Sequence, residues 1–365
     1  MSHNSTRKCH HHTAPEHVPK SKILLCENKV EKKFNEPTSA SELAFPAGIA
    51  TMLRLPIARN TDGLDACFVG VPIDHGTSNR SGARFGPRQI RSESVIVRKC
   101  NIQAGADPFS SIQVQIISNS ITHEQVADIG DVRVNLYNLK KCCDDIKKQY
   151  EEIIKNGCRP LSIGGDHTIS YPILQAMAEK YGPVAMVHVD AHSDCNSFAN
   201  GEKITHGTAF RLAIEENLII PTKVFQIGLR GSVGSLDSFD WQLDKGFRMI
   251  HAKDLWYKSL TPLMKEVRDV IGETPTYICF DIDALDPSAA PGTGFPEIGG
   301  LTTSQALEII RGCRGLNIIG ADMVEVAPPY DTTGTTAITA ANILFEILCV
   351  LPGVKYHETP ATKKT

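Results

Sequence analysis

The sequence has no long hydrophobic run and no excess of basic charge, and each absence excludes a class of protein. No stretch of the 365 residues approaches the roughly 18 uncharged apolar residues that a membrane-spanning helix needs. Lys and Arg number 38 against 41 Asp and Glu, so the net charge of −3 offers no basic surplus for nucleic acid. The 41% of hydrophobic residues is typical of a soluble globular protein with a large core.

Cysteine is too sparse for a disulfide scaffold. The 11 cysteines make up about 3% of the chain, against the roughly 8–10% that marks such scaffolds. Their number is odd, no CxxC pair occurs, and several stand in apolar runs, as Cys67 and Cys279 do. The sequence therefore predicts reduced thiols in the cytosol or an organelle matrix.

Residues 1–33 differ in composition from the rest of the chain. They hold seven Lys and Arg against three Glu, five of the 13 histidines and no sustained amphipathic period. A flexible tail and an organelle transit peptide both fit this composition. Because no Gly/Ser linker or internal repeat divides the remainder, we predict one folded domain over 34–360.

Short apolar runs recur along this domain and predict the strands of a parallel sheet. Eight runs rich in Val and Ile lie at 65–71, 126–130, 159–165, 184–190, 223–229, 247–250, 276–282 and 317–326. Helical patterns lie at 139–157, 171–182 and 303–313, the last with a Thr303/Ser304 cap. This alternation predicts an α/β fold: a single doubly wound domain whose mostly parallel sheet has about eight strands, with helices on both faces.

Acidic and histidine residues follow directly after three of these runs. Ligands bind beyond the carboxyl ends of strands in open α/β sheets, so these positions are candidate site residues. They are His167 after RPLSIGG, Asp190, His192 and Asp194 after VAMVHV, and Asp281 and Asp283 after TYICF. Spacing by two would place each group on one face of an extended segment.

Charge density predicts that this edge binds metal ions. Four carboxylates in a partly buried cleft repel each other, and two divalent cations would neutralise them. Two metals about 3.5–4 Å apart that share bridging carboxylates suit the spacing better than one metal. The donors are mostly oxygen, which favours Mn²⁺ over Zn²⁺. Nearby, Asp166 and Asp286 are predicted as cap or turn residues, and His188 as a packed core histidine on the face opposite the ligands.

Longer blocks carry a resemblance to a known family. The signature blocks of the ureohydrolases, the arginase and agmatinase family, are similar to GGDHTIS (164–170), HVDAHSD (188–194), FDIDALDPSAAPGTGFPEIGGLT (280–302) and GADMVEVAPPYD (320–331). The block NRSGARFGPRQIR (79–91) resembles the agmatinase branch, which includes guanidino acid hydrolases. The resemblance implies an arginase/deacetylase-like fold and a homo-oligomer, a trimer or hexamer, located in mitochondria or, alternatively, in the cytoplasm.

The resemblance also implies a dinuclear manganese site. One Mn²⁺ would be held by His167, Asp190, Asp194 and Asp281, and the other by Asp190, His192, Asp281 and Asp283. The pair would lower the pKa of a shared water, and the hydroxide, oriented by Asp194, would attack the guanidinium carbon to release urea.

Two further residues match family positions outside the metal site. His206 would carry a proton to the leaving amine, a task suited to an imidazole that titrates near pH 7. Glu325 would pair with the planar guanidinium, and an acid within an apolar strand is hard to explain unless it is paired.

The implied substrate is a small guanidino compound, with agmatine, which yields putrescine and urea, placed first. The alternatives are 4-guanidinobutyrate, then arginine, and last a metal-binding homologue without turnover or an amide hydrolase with one zinc. Glu202 would favour the amine of agmatine and Arg211 a carboxylate, although solvated rim positions suit both better.

Two features depart from the family pattern. Residues 113–125 form an extra segment before the strand that starts near Val126. Phe295 stands where the family more often has a small polar residue, and we expect it to line the second metal loop and narrow the pocket.

Overall fold

The computed structural model of the chain describes residues 35–109 and 125–357. Its strands are β1 (Ala66–Gly70), β2 (Val126–Asp131), β3 (Arg159–Ile163), β4 (Val184–Val189), β5 (Ile219–Leu229), β6 (Arg248–His251), β7 (Thr276–Asp281) and β8 (Ile318–Val324). Its α-helices are α1 (Gly86–Glu93), α2 (Leu139–Ile154), α3 (Ser170–Tyr181), α4 (Ala209–Glu215), α5 (Asp240–Lys245), α6 (Ala252–Leu255), α7 (Thr261–Ile271), α8 (Thr303–Gly312) and α9 (Thr335–Val350).

The eight strands form one sheet in the order β2-β1-β3-β8-β7-β4-β5-β6. Every neighbouring pair is parallel. Because the strands share one direction, their carboxyl ends lie along one edge, where ligands bind in folds of this kind. The four middle strands, β3, β8, β7 and β4, are the ones that the candidate site residues follow.

Successive side chains of each strand enter two hydrophobic cores, one on each face of the sheet. In β1, Ala66 and Phe68 belong to one core, and Cys67 and Val69 belong to the other. Helices α1, α7, α8 and α9 contribute side chains to the first core, and α2, α3 and α4 to the second. Strands buried on both faces need apolar residues at consecutive positions, which explains their unbroken apolar sequences.

The structure confirms the predicted fold class and a strand at each of the eight apolar runs. The three predicted helices are α2, α3 and α8, but the cap of α8 is Thr302 rather than Thr303, because the Thr302 side chain accepts a hydrogen bond from the Gln305 amide. Helix α9 has no predicted counterpart, since it is buried on nearly all sides and lacks an amphipathic period.

Several expectations concern parts of the chain outside the described ranges. These are the tail or transit peptide over 1–33 and nearly all of the 113–125 segment. The nine cysteines that the structure describes are all free, as the prediction of reduced thiols requires. None of the described helices combines the length and apolar character of a membrane-spanning segment.

Candidate active site

The candidate metal ligands meet at the carboxyl ends of neighbouring strands in the middle of the sheet. Val189 of β4 pairs with Phe280 of β7, so Asp190, directly after β4, and Asp281, the last residue of β7, lie side by side at the carboxyl ends of these strands. His167 follows β3, and all three side chains are almost completely buried. The sheet register therefore brings together residues that are more than 100 positions apart in the sequence.

Three carboxylates surround one nitrogen of His167. Its Nδ1 atom lies 2.9 Å from Asp194 Oδ2, 3.2 Å from Asp190 Oδ2 and 3.2 Å from Asp281 Oδ2. None of these oxygens makes a well-aligned hydrogen bond with that nitrogen. Four potential metal-binding atoms thus point at a common centre.

A second donor set lies beside the first and shares Asp190 with it. His192 Nδ1 is 3.1 Å from Asp283 Oδ2 and 3.6 Å from Asp190 Oδ1. In each of the sets His167/Asp190/Asp281 and Asp190/His192/Asp283, one ligand atom per residue lies within 4.8 Å of the others. Five of the six residues singled out as metal ligands are therefore gathered into two adjacent sets, and the sixth, Asp194, contacts His167 of the first set.

The chain brings these ligands together by turns and not by extended segments, contrary to the sequence expectation. Asp194 has a left-handed backbone, with φ of 48°. Asp281 accepts a hydrogen bond of 2.8 Å from the Asp283 amide at the start of a 3₁₀ turn. Asp190 accepts one of 2.6 Å from the His192 amide. Each turn points its side chains to one centre, whereas alternate residues of a strand stay about 7 Å apart.

The electrostatics of this cluster favour a bound cation. Burial raises the pKa of Asp281 well above its usual value, and the charges of Asp283 and Asp190 raise it further. Burial also raises the pKa of Asp283 to about 6, with His192 opposing that rise. For His192, burial lowers the pKa, but Asp283 and Asp190 outweigh burial and raise it to about 12. Buried carboxylates at this density create a field that holds positive charge.

His188 corrects a sequence expectation. It is fully buried, as predicted, but it lies on the same side as the ligands, with Nε2 2.8 Å from Asp190 Oδ2. Its Nδ1 atom contacts the Gln226 side chain at 3.0 Å. Residues two apart in an extended segment lie on the same face, so the spacing of positions 188, 190 and 192 could have placed His188 beside Asp190.

His206, Glu325 and Ser78 form a polar group at one wall of the site. His206 Nδ1 is 3.4 Å from Glu325 Oε1, and its Nε2 atom is 2.9 Å from Ser78 Oγ. Glu325 directly follows β8, has a φ of 63° and accepts a hydrogen bond of 2.9 Å from the His167 amide. Sequence analysis did not identify Ser78, because a serine in a loop carries no distinctive signal.

The surroundings of His206 shift its protonation. Burial lowers the pKa of the imidazole, but its contact with Glu325, together with the charges of Asp194 and Asp166, raises it to about 9. This pKa is higher than the value near 7 expected from the sequence, which does not show how closely Glu325 approaches. A protonated His206 at neutral pH is a proton donor.

A cavity of about 300 Å³ opens onto these groups. The Phe295 ring lies between two histidines, with its centroid 5.9 Å from that of His192 and 5.5 Å from that of His206. Phe295 therefore narrows the cavity, as expected from the sequence. Another part of the lining, which is called the far end, consists of Asn196, Ser232, Val233, Gly234, Ser238 and Phe239.

Other sequence predictions are resolved by single contacts. Asp166 is a cap, accepting from the Thr168 amide, and Asp286 is a turn residue, accepting from Ser288. Glu202 lines a separate surface groove. Arg211 stacks on Trp241 and pairs with Glu215. Neither Glu202 nor Arg211 therefore lines the cavity.

Comparisons with known proteins agree with this geometry. The model of the Arginase family matches residues 64–350. The chain is 58% identical to the mitochondrial agmatinase of Gallus gallus over 88% of this chain and 92% of that one. It is 56% identical to the mitochondrial guanidino acid hydrolase of Homo sapiens, over 88% of each chain. The proclavaminate amidino hydrolase of Streptomyces clavuligerus superimposes with a TM-score of 0.76 at 36% identity, over 84% of this chain and 99% of that one.

Proposed function

Because the chain belongs to the arginase family and is a ureohydrolase, we propose that it holds two manganese ions and hydrolyses a linear guanidino acid. The first ion would bind His167, Asp190, Asp194 and Asp281. The second would bind Asp190, His192, Asp281 and Asp283. The gathering of these six side chains at one point of the sheet is the observation that carries the proposal.

The donor set fits divalent cations. The Nδ1 atom of His167 lies within 3.2 Å of three carboxylate oxygens, and a divalent cation among these four atoms would neutralise the buried negative charge. A donor set that is mostly oxygen, with two imidazoles, suits Mn²⁺ better than Zn²⁺, which softer donor sets select. When bound, such a pair lowers the pKa of a water so that hydroxide is available near neutral pH.

Glu325 would orient the guanidinium in the cavity. Its carboxylate is fixed by the His167 amide at 2.9 Å, which leaves its second oxygen for a guanidinium N–H. The left-handed backbone at Glu325 is strained for a residue of this type, and such strain is most often retained at functional sites.

His206 would supply the proton that the departing nitrogen needs. Its pKa of about 9 keeps the imidazole protonated at neutral pH. Ser78 Oγ and Glu325 hold the two ring nitrogens and so fix the ring plane. Without this proton the departing nitrogen would leave as an amide anion, which is a poor leaving group. Proton donation by His206 lets it leave as a neutral amine.

The far end of the cavity favours a substrate with an anionic tail, 4-guanidinobutyrate, over the agmatine that the sequence puts first. Within the described lining the carboxylates are Asp194, Asp281, Asp283 and Glu325, all at the reacting end. The far end offers serine hydroxyls and the Asn196 amide, which donate to a carboxylate, and no acid to pair with an amine. One relative's name, guanidino acid hydrolase, supports this order, and the other, agmatinase, keeps the cationic substrate as the competing candidate.

A urea-release assay with Mn²⁺ tests the proposal on 4-guanidinobutyrate, 3-guanidinopropionate, agmatine and arginine in parallel. We expect the highest kcat/KM for 4-guanidinobutyrate. A higher value for agmatine would overturn the tail assignment and would restore putrescine as the product. No urea from any of the four would overturn the proposed reaction, and elemental analysis should give two manganese ions per chain.

A charge added to the cavity tests the tail assignment independently. Ser232 lines the far end, so Ser232→Asp should lower kcat/KM for 4-guanidinobutyrate and raise it for agmatine. Ser235→Asp adds the same charge to the same loop outside the lining and serves as the control. Equal effects of both variants would contradict the assignment.

Two further proposals rest on the family and its names. We propose a mitochondrial location, which the basic composition of residues 1–33 and the names of both relatives support. We also propose that the 34–360 domain forms a homo-oligomer. Immunofluorescence of the full chain tests the first, and light scattering on the purified protein tests the second.

A further inference from the structure

Arg230 makes an unusual set of contacts beside the active site. It directly follows β5, and its guanidinium donates to the backbone carbonyls of Asp283, Ala284 and Leu285 at 2.6–3.1 Å. The same group donates to the carbonyls of Glu297 and Ile298 at 2.7–3.2 Å, and to that of Gly228 at 3.2 Å. A single side chain thereby joins three segments.

These contacts occupy the guanidinium completely. Arginine has five N–H donors, and Nε, Nη1 and Nη2 of Arg230 are all bonded to carbonyl oxygens. Arg230 lines the cavity and is its one arginine in the described lining. With its donors already used, this half-buried arginine is not available to receive the carboxylate of a substrate.

Two of the three joined segments, those at Asp283 and at Glu297, lie beside the candidate active site. Asp283 carries a carboxylate of the second donor set, and its own carbonyl is the acceptor of the 2.6 Å bond. Glu297 and Ile298 follow Phe295, whose ring packs between His192 and His206. The contacts of Arg230 therefore connect the turn at Asp283 to the loop that carries Phe295.

The chain leaves room for this guanidinium at a specific glycine. A Cβ atom at Gly300 would lie 2.4 Å from the backbone nitrogen of Asp286 and 2.6 Å from Arg230 Nη2, so a side chain here would clash with both. The position also contacts the backbone of Leu285, so the arginine is enclosed by the segments it joins. This enclosure makes the geometry of the turn depend on Arg230.

We propose that Arg230 is a positioning residue that holds the Asp283 turn in the conformation required to bind the second metal ion. The proposal rests on the two-metal function proposed above. It assigns Arg230 no contact with the substrate. Outer contacts of this kind commonly contribute about 10–100-fold to metal affinity or activity.

The test compares Arg230→Met with Arg248→Met in the full chain. Arg230→Met keeps the length of the side chain and removes every donor. Arg248 is on the neighbouring strand, is exposed and pairs with Glu266, so its loss should leave the active site unchanged. Titration calorimetry of the demetallated proteins with Mn²⁺ measures both sites, and electron paramagnetic resonance distinguishes a coupled pair of ions from a single one.

We expect Arg230→Met to bind the second Mn²⁺ at least about tenfold more weakly and to lose the coupled signal, with the first ion retained. Arg248→Met should match the wild type. Arg230→Lys keeps three donors, so its affinity for the second Mn²⁺ should lie between that of Arg230→Met and that of the wild type. This variant decides the outcome if the methionine variant does not fold. Two ions bound at wild-type affinity in Arg230→Met, or in Arg230→Lys in that case, would overturn the positioning role while leaving the proposed function intact. A wild-type protein that neither binds two ions nor releases urea would instead contradict the proposed function.

Discussion

Buried carboxylates at two places in the sheet, an outer strand and the middle, are stabilised in opposite ways. At the outer strand β2, Asp128 is fully enclosed and accepts two hydrogen bonds from Arg91, at 2.8 and 3.0 Å. The amides of Met52 and Gly130 complete its shell at 2.6 and 2.8 Å. In the middle of the sheet, Asp190, Asp281 and Asp283 are equally buried but meet histidines and each other.

The difference shows what each cluster is for. The chain supplies a permanent cation to Asp128, whose charge is therefore neutralised as soon as the protein folds. It supplies no lysine or arginine side chain to the catalytic cluster within the described residues; Arg230 lies close but donates to carbonyls. The basic partners of the central carboxylates within the described residues are histidines, which can bind a metal ion once they lose their protons, as the proposed function requires.

The largest expected effect comes from the same substitution made in the two clusters. Asp190→Asn removes the carboxylate shared by both donor sets, and we expect kcat/KM for urea release to fall at least about a thousandfold, since metal assistance contributes several kcal/mol. Asp128→Asn should leave kcat/KM of the folded enzyme close to the wild-type value. Steady-state kinetics at saturating Mn²⁺ measure both.

Stability should show the opposite pattern. In metal-free protein, Asp190→Asn removes repulsion with Asp281 and Asp283 as well as contacts with histidines, so the free energy of unfolding should change little. Asp128→Asn has no such relief, since its partner is the buried Arg91, and should lower the free energy of unfolding. Full activity in Asp190→Asn would contradict the metal assignment. Equal losses of stability in the two variants would show that both clusters are structural.

Removing the cation of the structural cluster is the next largest change. Arg91→Met leaves the buried Asp128 charge without its partner, and we expect the free energy of unfolding to fall by about 3–5 kcal/mol. The double variant Arg91→Met/Asp128→Asn should recover part of this loss, because an uncharged amide needs no cation. Urea denaturation with matched m-values measures both variants. A double variant less stable than Arg91→Met would contradict the interpretation.

The pair of His206 and Glu325 is intermediate between the two clusters. Here the chain supplies the cation, as it does to Asp128, but this cation is an imidazolium that can lose its proton. Burial lowers the pKa of His206, but the contact with Glu325 raises it to about 9, so the proton is present below that pH and lost above it. We expect kcat/KM to decline as pH rises through about 9. His206→Asn should lower the rate by about 10²–10⁴-fold and abolish this decline.

The control for this prediction is His251→Asn, which changes a histidine on strand β6, outside the cavity lining. Its pH profile should match that of the wild type. If the decline near pH 9 persists unchanged in His206→Asn, another group is responsible and the proton-donor role is wrong.

The contrast between the clusters also explains how much the sequence could predict. Apolar runs on both faces of a parallel sheet are a strong local signal, and the eight strands follow from it. The acids at the ends of β4 and β7 are conspicuous because aspartate is almost never fully buried unless it is paired. Their arrangement depends on turns such as the left-handed Asp194, and these depend on tertiary contacts that no local pattern encodes.

Other site features were beyond prediction because they depend on neighbours far away in the sequence. Ser78 acquires its position from a contact with His206, 128 residues later. Arg230 looks like an ordinary charged residue at a strand end until its acceptors, 53–68 residues later, are known. The buried helix α9 likewise lacks the polar face by which surface helices are recognised.

The smallest expected effect is the stability that manganese itself contributes. A ligand that binds only the folded state stabilises it by about 2.7 kcal/mol when its concentration is 100 times its Kd. Chelation of Mn²⁺ should therefore lower the thermal midpoint of the wild type and of Arg91→Met by similar amounts, because the ion acts at the central cluster alone. In Asp190→Asn the difference between metal-bound and chelated protein should shrink towards zero, since the carboxylate common to both sets is gone. Differential scanning calorimetry with and without chelator measures the three pairs. An unchanged manganese effect in Asp190→Asn would place the stabilising ion elsewhere and remove the distinction between a cluster that the chain neutralises and one that it leaves for a metal.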